Sequence, residues 1–164
     1  MATKFTDKYP GQEVRALSWK QPFASLMLHG KVETRTWDTK YRGWVLICAS
    51  KAPYNDRQIN EISGDVQYKI MQTILTKNYY TIPIGEAFAI GRLIDSRRMG
   101  SLLGDRVIST EGCMEIENRT FVKINYSLFL HEYRDVQPIV PFEWKGSQGW
   151  KTLDESTKDK IILL

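Results

Sequence analysis

The chain has 164 residues, 42% of them hydrophobic and 12% aromatic, with a formal net charge of +4. That apolar content excludes disorder, no apolar run approaches the ~20 residues that span a bilayer, and the length suits one domain of roughly 100 to 200 residues. No membrane partner is therefore expected. The charge is uneven: residues 15–51 hold seven Lys or Arg and two acids, leaving sixteen bases against seventeen acids elsewhere. Clustered positive charge points to an anionic partner, with nucleic acid first and a phosphorylated small molecule second, against the plain alternative of a solvated basic face.

In chain order, residues 1–13 are polar, with "YPGQE" as a turn, and are expected to form a flexible arm ahead of a single domain over 14–164. "RALSW" alternates as a first strand. "QPFASLMLHG" carries helix signals at both ends: Pro22 suits a first turn, Phe23, Leu26 and Met27 share a face, and Gly30 supplies the left-handed closing residue. A short helix plugging one end of a sheet is expected. In "KVETRTW" extended backbone sends Lys31, Glu33, Arg35 and Trp37 to one side. A row of charges ending in an indole is not a core face. "WVLICAS" is apolar on both faces, as in a strand buried within a barrel.

From Asn55 to Lys77, Ile59, Ile62, Val66, Ile70 and Ile74 recur at helical spacing, which predicts one longer amphipathic helix with a weak point at "SG". "GEAFAIGRLID" reads as a strand and "RTFVKINYSLFLHEYRDV" as one or two more. "QPIVPFEW" reads as a last edge segment whose two prolines limit ladder pairing, and "KGSQGW" as a turn bringing Trp144 near Trp150. Strands broken by one long helix predict an α+β fold, a small mixed β-barrel with a short plugging helix.

Cys48 and Cys113 are the only cysteines, and no charged and then apolar leader precedes Arg15, so a reducing, cytoplasmic setting is expected. Phosphate-cradling, dinucleotide-binding and nucleophile-elbow motifs are absent. His29 and His131 lie about a hundred positions apart, with no cysteine at ligand spacing. No metal and no cofactor are predicted on these grounds.

The ordered blocks "ALSWKQPFASLMLHG", "VETRTW" and "YRGWVLICASK" resemble the signature of ASCH domains, relatives of PUA and EVE modules. Gln21, Pro22, Gly30, Glu33, Arg35, Trp37, Arg42, Gly43 and Lys51 fit it in order, and weaker likeness in "EAFAIGRLID" and "PFEWKGSQGW" extends it over most of residues 15–154. The resemblance implies a PUA-like barrel with a cleft that accepts a base, and hence a modified nucleoside or a single-stranded nucleic acid as partner. It offers as candidate binding residues Trp19, Gln21, Phe23, Arg35, Trp37, Arg42, Ser50, Lys51, Trp144 and Lys145. An indole can stack on a base for roughly 1 to 3 kcal/mol while Arg and Lys hold phosphate. Structural roles stand beside these: Trp37 and Trp44 as barrel packing, Arg42 as a turn closer, Glu33 and Arg35 as mutual partners.

Some compact ASCH proteins are amidohydrolases that remove acyl groups from N4 of cytidine, using a lysine, a threonine and a glutamate. The chain departs from that pattern twice. "GKVETR" is shorter by two residues than in many members, so Lys31 and Lys20 both compete for the family's lysine, and Glu33 stands where the threonine would be. The resemblance thus implies a water activated by Glu33 beside Lys31 or Lys20, with Arg35 nearby to lower the lysine's proton affinity and any second carboxylate coming from "STEGCMEIENR". The competing implication is a non-catalytic nucleic-acid module in which Glu33 and Arg35 orient a base edge.

Overall fold

Phe5 alters the reading of the first thirteen residues. The computed structural model describes residues 2–31, 33–63, 83–98, 115–116, 119–120, 128–146 and 150–164. Within it Thr3–Lys4 form strand β1 and Phe5–Lys8 form helix α1, while β1 pairs antiparallel with residues Ile162–Leu163. Phe5 is fully buried, edge-on to Trp44 at 5.3 Å, and its N–H donates to the Ile161 carbonyl at 2.9 Å. The expected flexible arm is therefore docked. One aromatic anchor and a short ladder outweigh its polar composition.

The remaining elements follow as β2 (Val14–Trp19), α2 (Phe23–Leu26) with a 3-10 turn over Met27–His29, β3 (Glu33–Arg35), β4 (Gly43–Ala49), α3 (Asp56–Ser63) and β5 (Glu86–Arg98). Then come the paired β6 (Glu115–Ile116) and β7 (Arg119–Thr120), β8 (Phe129–Glu143), β9 (Lys151–Thr152), α4 (Glu155–Lys158) and β10 (Ile162–Leu163). Gly30 ends the 3-10 turn at φ 78°, the left-handed conformation its position predicts. The longer helix expected from Asn55 is seen as α3, and its continuation to Lys77 lies outside the described residues.

The main sheet runs β1-β10-β8-β5-β4-β2-β9, with β3 also paired to β8. Its pairs are antiparallel except β2 with β4, which are parallel. A parallel pair requires a crossover. Here the crossover is the charged segment itself, carrying α2 and β3, and β3 joins β8 rather than either of the strands it connects. The result is a small α+β fold whose mixed sheet curls like a half-barrel.

"QPIVPFEW" is not a separate edge segment. It is the second half of β8, which lies between β5 on one side and β3 and β10 on the other. A register shift accommodates one proline: Ala87 faces Phe142 while Ala89 faces Pro138, so Val140 and Pro141 fall in a bulge where no ladder N–H is required, whereas Pro138 stays in register and its carbonyl accepts from the Leu164 N–H.

Alternation along β2 and β4 divides the core in two. Val14 and Ala16 with Trp44, Leu46 and Cys48 face a cluster containing Phe5, Ile139, Trp144 and Ile161; Leu17 and Trp19 with Val45, Ile47 and Ala49 face one containing Ala24, Met27, Phe88 and Leu93. Trp37, Tyr41, Tyr133 and Trp150 pack on the second cluster. Trp144 and Trp150, expected together, thus belong to different clusters.

Candidate functional site

Lys31 and Arg35 converge on the carboxylate of Glu33, with Glu33 and Arg35 on the extended backbone of β3. Glu33 Oε1 lies 3.4 Å from Lys31 Nζ and 3.7 Å from Arg35 Nε, while Oε2 accepts from the indole N–H of Trp19. The Lys31 and Glu33 side chains are 0% and 1% exposed and Arg35 is 19% exposed. Buried charge is tolerated only where it is paired and hydrogen-bonded. This carboxylate has donors on both oxygens, and Arg35 is the member of the set that meets solvent.

Arg35 also lies over the Trp19 ring at 4.9 Å and donates to the Ser18 carbonyl at 3.4 Å. These contacts run from β3 to β2, which no ladder joins among the described residues. The charged cluster therefore sits in the seam where the curled sheet approaches itself. Side chains, not backbone pairing, span that seam.

The other expected residues divide into neighbours and bystanders. Phe23 is buried, its ring 5.8 Å from Lys31 Nζ and 5.5 Å from Tyr54. Gln21 is buried too: its Nε2 donates to Ser25 Oγ at 2.8 Å and to the Pro83 carbonyl at 2.7 Å, and its Oε1 accepts from the Ser25 N–H. Both amide ends serve the start of α2. Ser50 is half-buried, its N–H donating to the Trp19 carbonyl at 2.9 Å. Trp37 packs edge-on to His131 at 4.8 Å and to Trp150 at 5.3 Å.

Lys20 is not in the cluster. It is exposed, with Nζ 5.0 Å from the Tyr54 ring, so of the two competing lysines only Lys31 meets Glu33. Arg42 Nη1 donates to the Thr39 and Tyr41 carbonyls, both at 2.8 Å, and Nη2 faces Asp95 at 3.5 Å, which occupies it in the turn before β4. Lys51 is exposed, its stem packed where Gly85 lacks a side chain. Trp144 is buried in the Phe5 cluster, across the sheet from Trp19, and exposed Lys145 lies 4.0 Å from Glu143. Of "STEGCMEIENR" only the backbone of Glu115, Ile116 and Arg119 is among the described residues, so its carboxylates lie outside them.

Two site residues from β8 escaped the sequence reading. His131 faces Glu33 directly in the β3–β8 register. Its Nε2 donates to the Trp37 carbonyl at 3.0 Å, which leaves Nδ1 as a buried acceptor with no hydrogen-bond partner among the described residues. Burial lowers its pKa against a raising effect of the bond to Trp37, so the ring is held neutral. Tyr133, two positions on and on the same face, meets Trp19 at 6.2 Å, and burial chiefly, with the Glu33 charge second, pushes its phenol pKa far up. The available signal was the alternation His131-x-Tyr133. It pairs polar tips with ring bodies on the inner face of a strand.

Among the described residues, no three His, Cys, Asp or Glu side chains group closely enough to hold a metal ion. Nor is any helix there long and apolar enough to cross a membrane. No known family model matches the chain, and no curated protein does.

Proposed function

We propose that the protein recognises a cytidine-type nucleoside at the seam between β2 and β3 and hydrolyses an acyl group from its N4. The observation that carries this reading is a desolvated ammonium and carboxylate 3.4 Å apart, beside a partly exposed guanidinium. The ASCH-like order of residues supplies the substrate class. Exclusion of water strengthens every electrostatic interaction in such a site.

In this reading Arg35 is the entry-side group that meets the ligand, and displacement of its ion pair frees Glu33 Oε1 for a water molecule. Glu33 removes a proton from that water as its oxygen bonds to the acyl carbon. Lys31 gives a proton to N4 as the C–N4 bond breaks, and Glu33 returns its proton to Lys31. The products are a carboxylic acid and the free cytidine amine, and both side chains end as they began. Proton transfer by positioned side chains contributes typically ~10²- to 10⁴-fold.

A second reading, a non-catalytic nucleic-acid module, is favoured by one observation: both Glu33 oxygens already have donors in the ligand-free chain. Incubation with N4-acetylcytidine and with plain cytidine oligonucleotides separates the two. Hydrolysis predicts release of acetate and cytidine, lowered at least ~10²-fold in Glu33→Gln and Lys31→Met. A binding module predicts no release, with a salt-sensitive oligonucleotide complex instead. Turnover unchanged in both variants rejects the catalytic assignment.

A further inference from the structure

We infer that Tyr133 is the ligand-reading residue of this site, its phenolic O–H donating to a carbonyl oxygen of the bound molecule. The inference rests on the seam being a ligand site, and it goes beyond the proton-transfer pair. Tyr133 Oη is buried and has no hydrogen-bond partner among the described residues. A buried polar group without a partner is rare and costly, and a tyrosine hydroxyl in the interior usually finds one. Sequence could have filled this position with phenylalanine, which keeps the ring packing on Trp19 and Leu17's cluster and omits the orphaned hydroxyl.

The placement indicates what the missing partner is. Tyr133 packs on Trp19, which binds the Glu33 carboxylate and lies under Arg35, and the Glu33 and Arg35 charges both act on its phenol. The high pKa keeps the phenol protonated, hence a donor, at any physiological pH. Trp150 Nε1, packed on Trp37 and Tyr41, is a second buried donor with no described partner. Beside His131 Nδ1, an acceptor likewise without a described partner, these two donors suit a ligand that carries acceptor oxygens. For an N4-acylcytidine these are the ring carbonyl and the acyl carbonyl.

Tyr133→Phe tests this by two readouts that together distinguish a ligand-reading hydroxyl from a purely structural one. Melting of the ligand-free protein is predicted unchanged or higher in Tyr133→Phe, because an unsatisfied group is removed. Affinity for cytidine or N4-acetylcytidine, measured by quenching of tryptophan fluorescence, is predicted to fall about tenfold, as for one lost hydrogen bond of ~1.4 kcal/mol. Weakening with both nucleosides identifies the ring carbonyl; weakening with N4-acetylcytidine alone identifies the acyl carbonyl. A lower melting temperature with unchanged affinity would show the hydroxyl to be structural and overturn the inference, as would unchanged affinity alone. If the unaltered protein binds neither nucleoside, the reading of the site has failed and this inference goes with it, an outcome distinct from normal binding by the variant.

Discussion

At the scale of single residues, the decisive fact is that Glu33 lies under the surface with an ammonium and a guanidinium around it. Removing one partner of a buried ion pair is more damaging than removing both, because desolvation of the survivor is no longer offset. Glu33→Ala is thus predicted to cost about 3–5 kcal/mol in urea unfolding. Lys31→Met should cost less, since Glu33 keeps the Trp19 N–H and Arg35. A larger loss in Lys31→Met would mean that Lys31 is the carboxylate's principal partner. The same burial makes Glu33→Gln, which retains shape and one acceptor, the better probe of chemistry. The convergence of Lys31, Glu33 and Arg35 was legible from period-two alternation alone. Their burial was not, because alternation says which side chains share a face and nothing about what later packs on it. Trp19, from a different strand, covers that face.

At the scale of elements, β4 is, with β2 and β5, a strand that both core clusters share. Leu46 and Ile47 are adjacent, fully buried and directed to opposite clusters. Leu46→Ala and Ile47→Ala are therefore each predicted to cost about 2–5 kcal/mol, by lost burial and residual cavity. A small loss in either one would show that face of β4 to be open. Strands such as β2 and β4 were readable because their apolar pattern is strong and local. The length of β8 was not: Pro138 and Pro141 are local signals for an edge, yet Pro141 falls in a bulge opposite β5 and Pro138 stays in register with Ala89 within the fifteen-residue strand. The pairing of β3 with β8 was equally hidden, since it depends on residues almost a hundred positions away. That long-range pairing is what sets His131 opposite Glu33 and Tyr133 beside Trp19.

At the scale of the molecule, the curled sheet is held at two places that local sequence does not reveal. One is the β1–β10 ladder with Phe5 beneath it, and Phe5→Ala is predicted to cost about 3–5 kcal/mol, against nearly nothing for a flexible arm. The other is the β2–β3 seam. There His131 links stability to pH: burial lowers its pKa in the fold below the ordinary 6.5, so the unfolded chain binds a proton that the folded chain resists. Its contribution is whole above about pH 6.5 and is lost as pH falls toward the folded value. His29, shifted the same way by burial, adds to the slope. Unfolding free energy should thus decline on acidification below pH 6.5, with a shallower decline in His131→Gln; an equal slope in that variant would place the proton elsewhere.

Most direct of all is a time course of acetate and cytidine release from N4-acetylcytidine, comparing the unaltered protein with Glu33→Gln at matched folded fraction. Release by the unaltered protein and a loss of at least ~10²-fold in the variant is the predicted result. Equal release by both, or none by either, would contradict the assignment of acyl-nucleoside hydrolysis to the buried carboxylate at the seam.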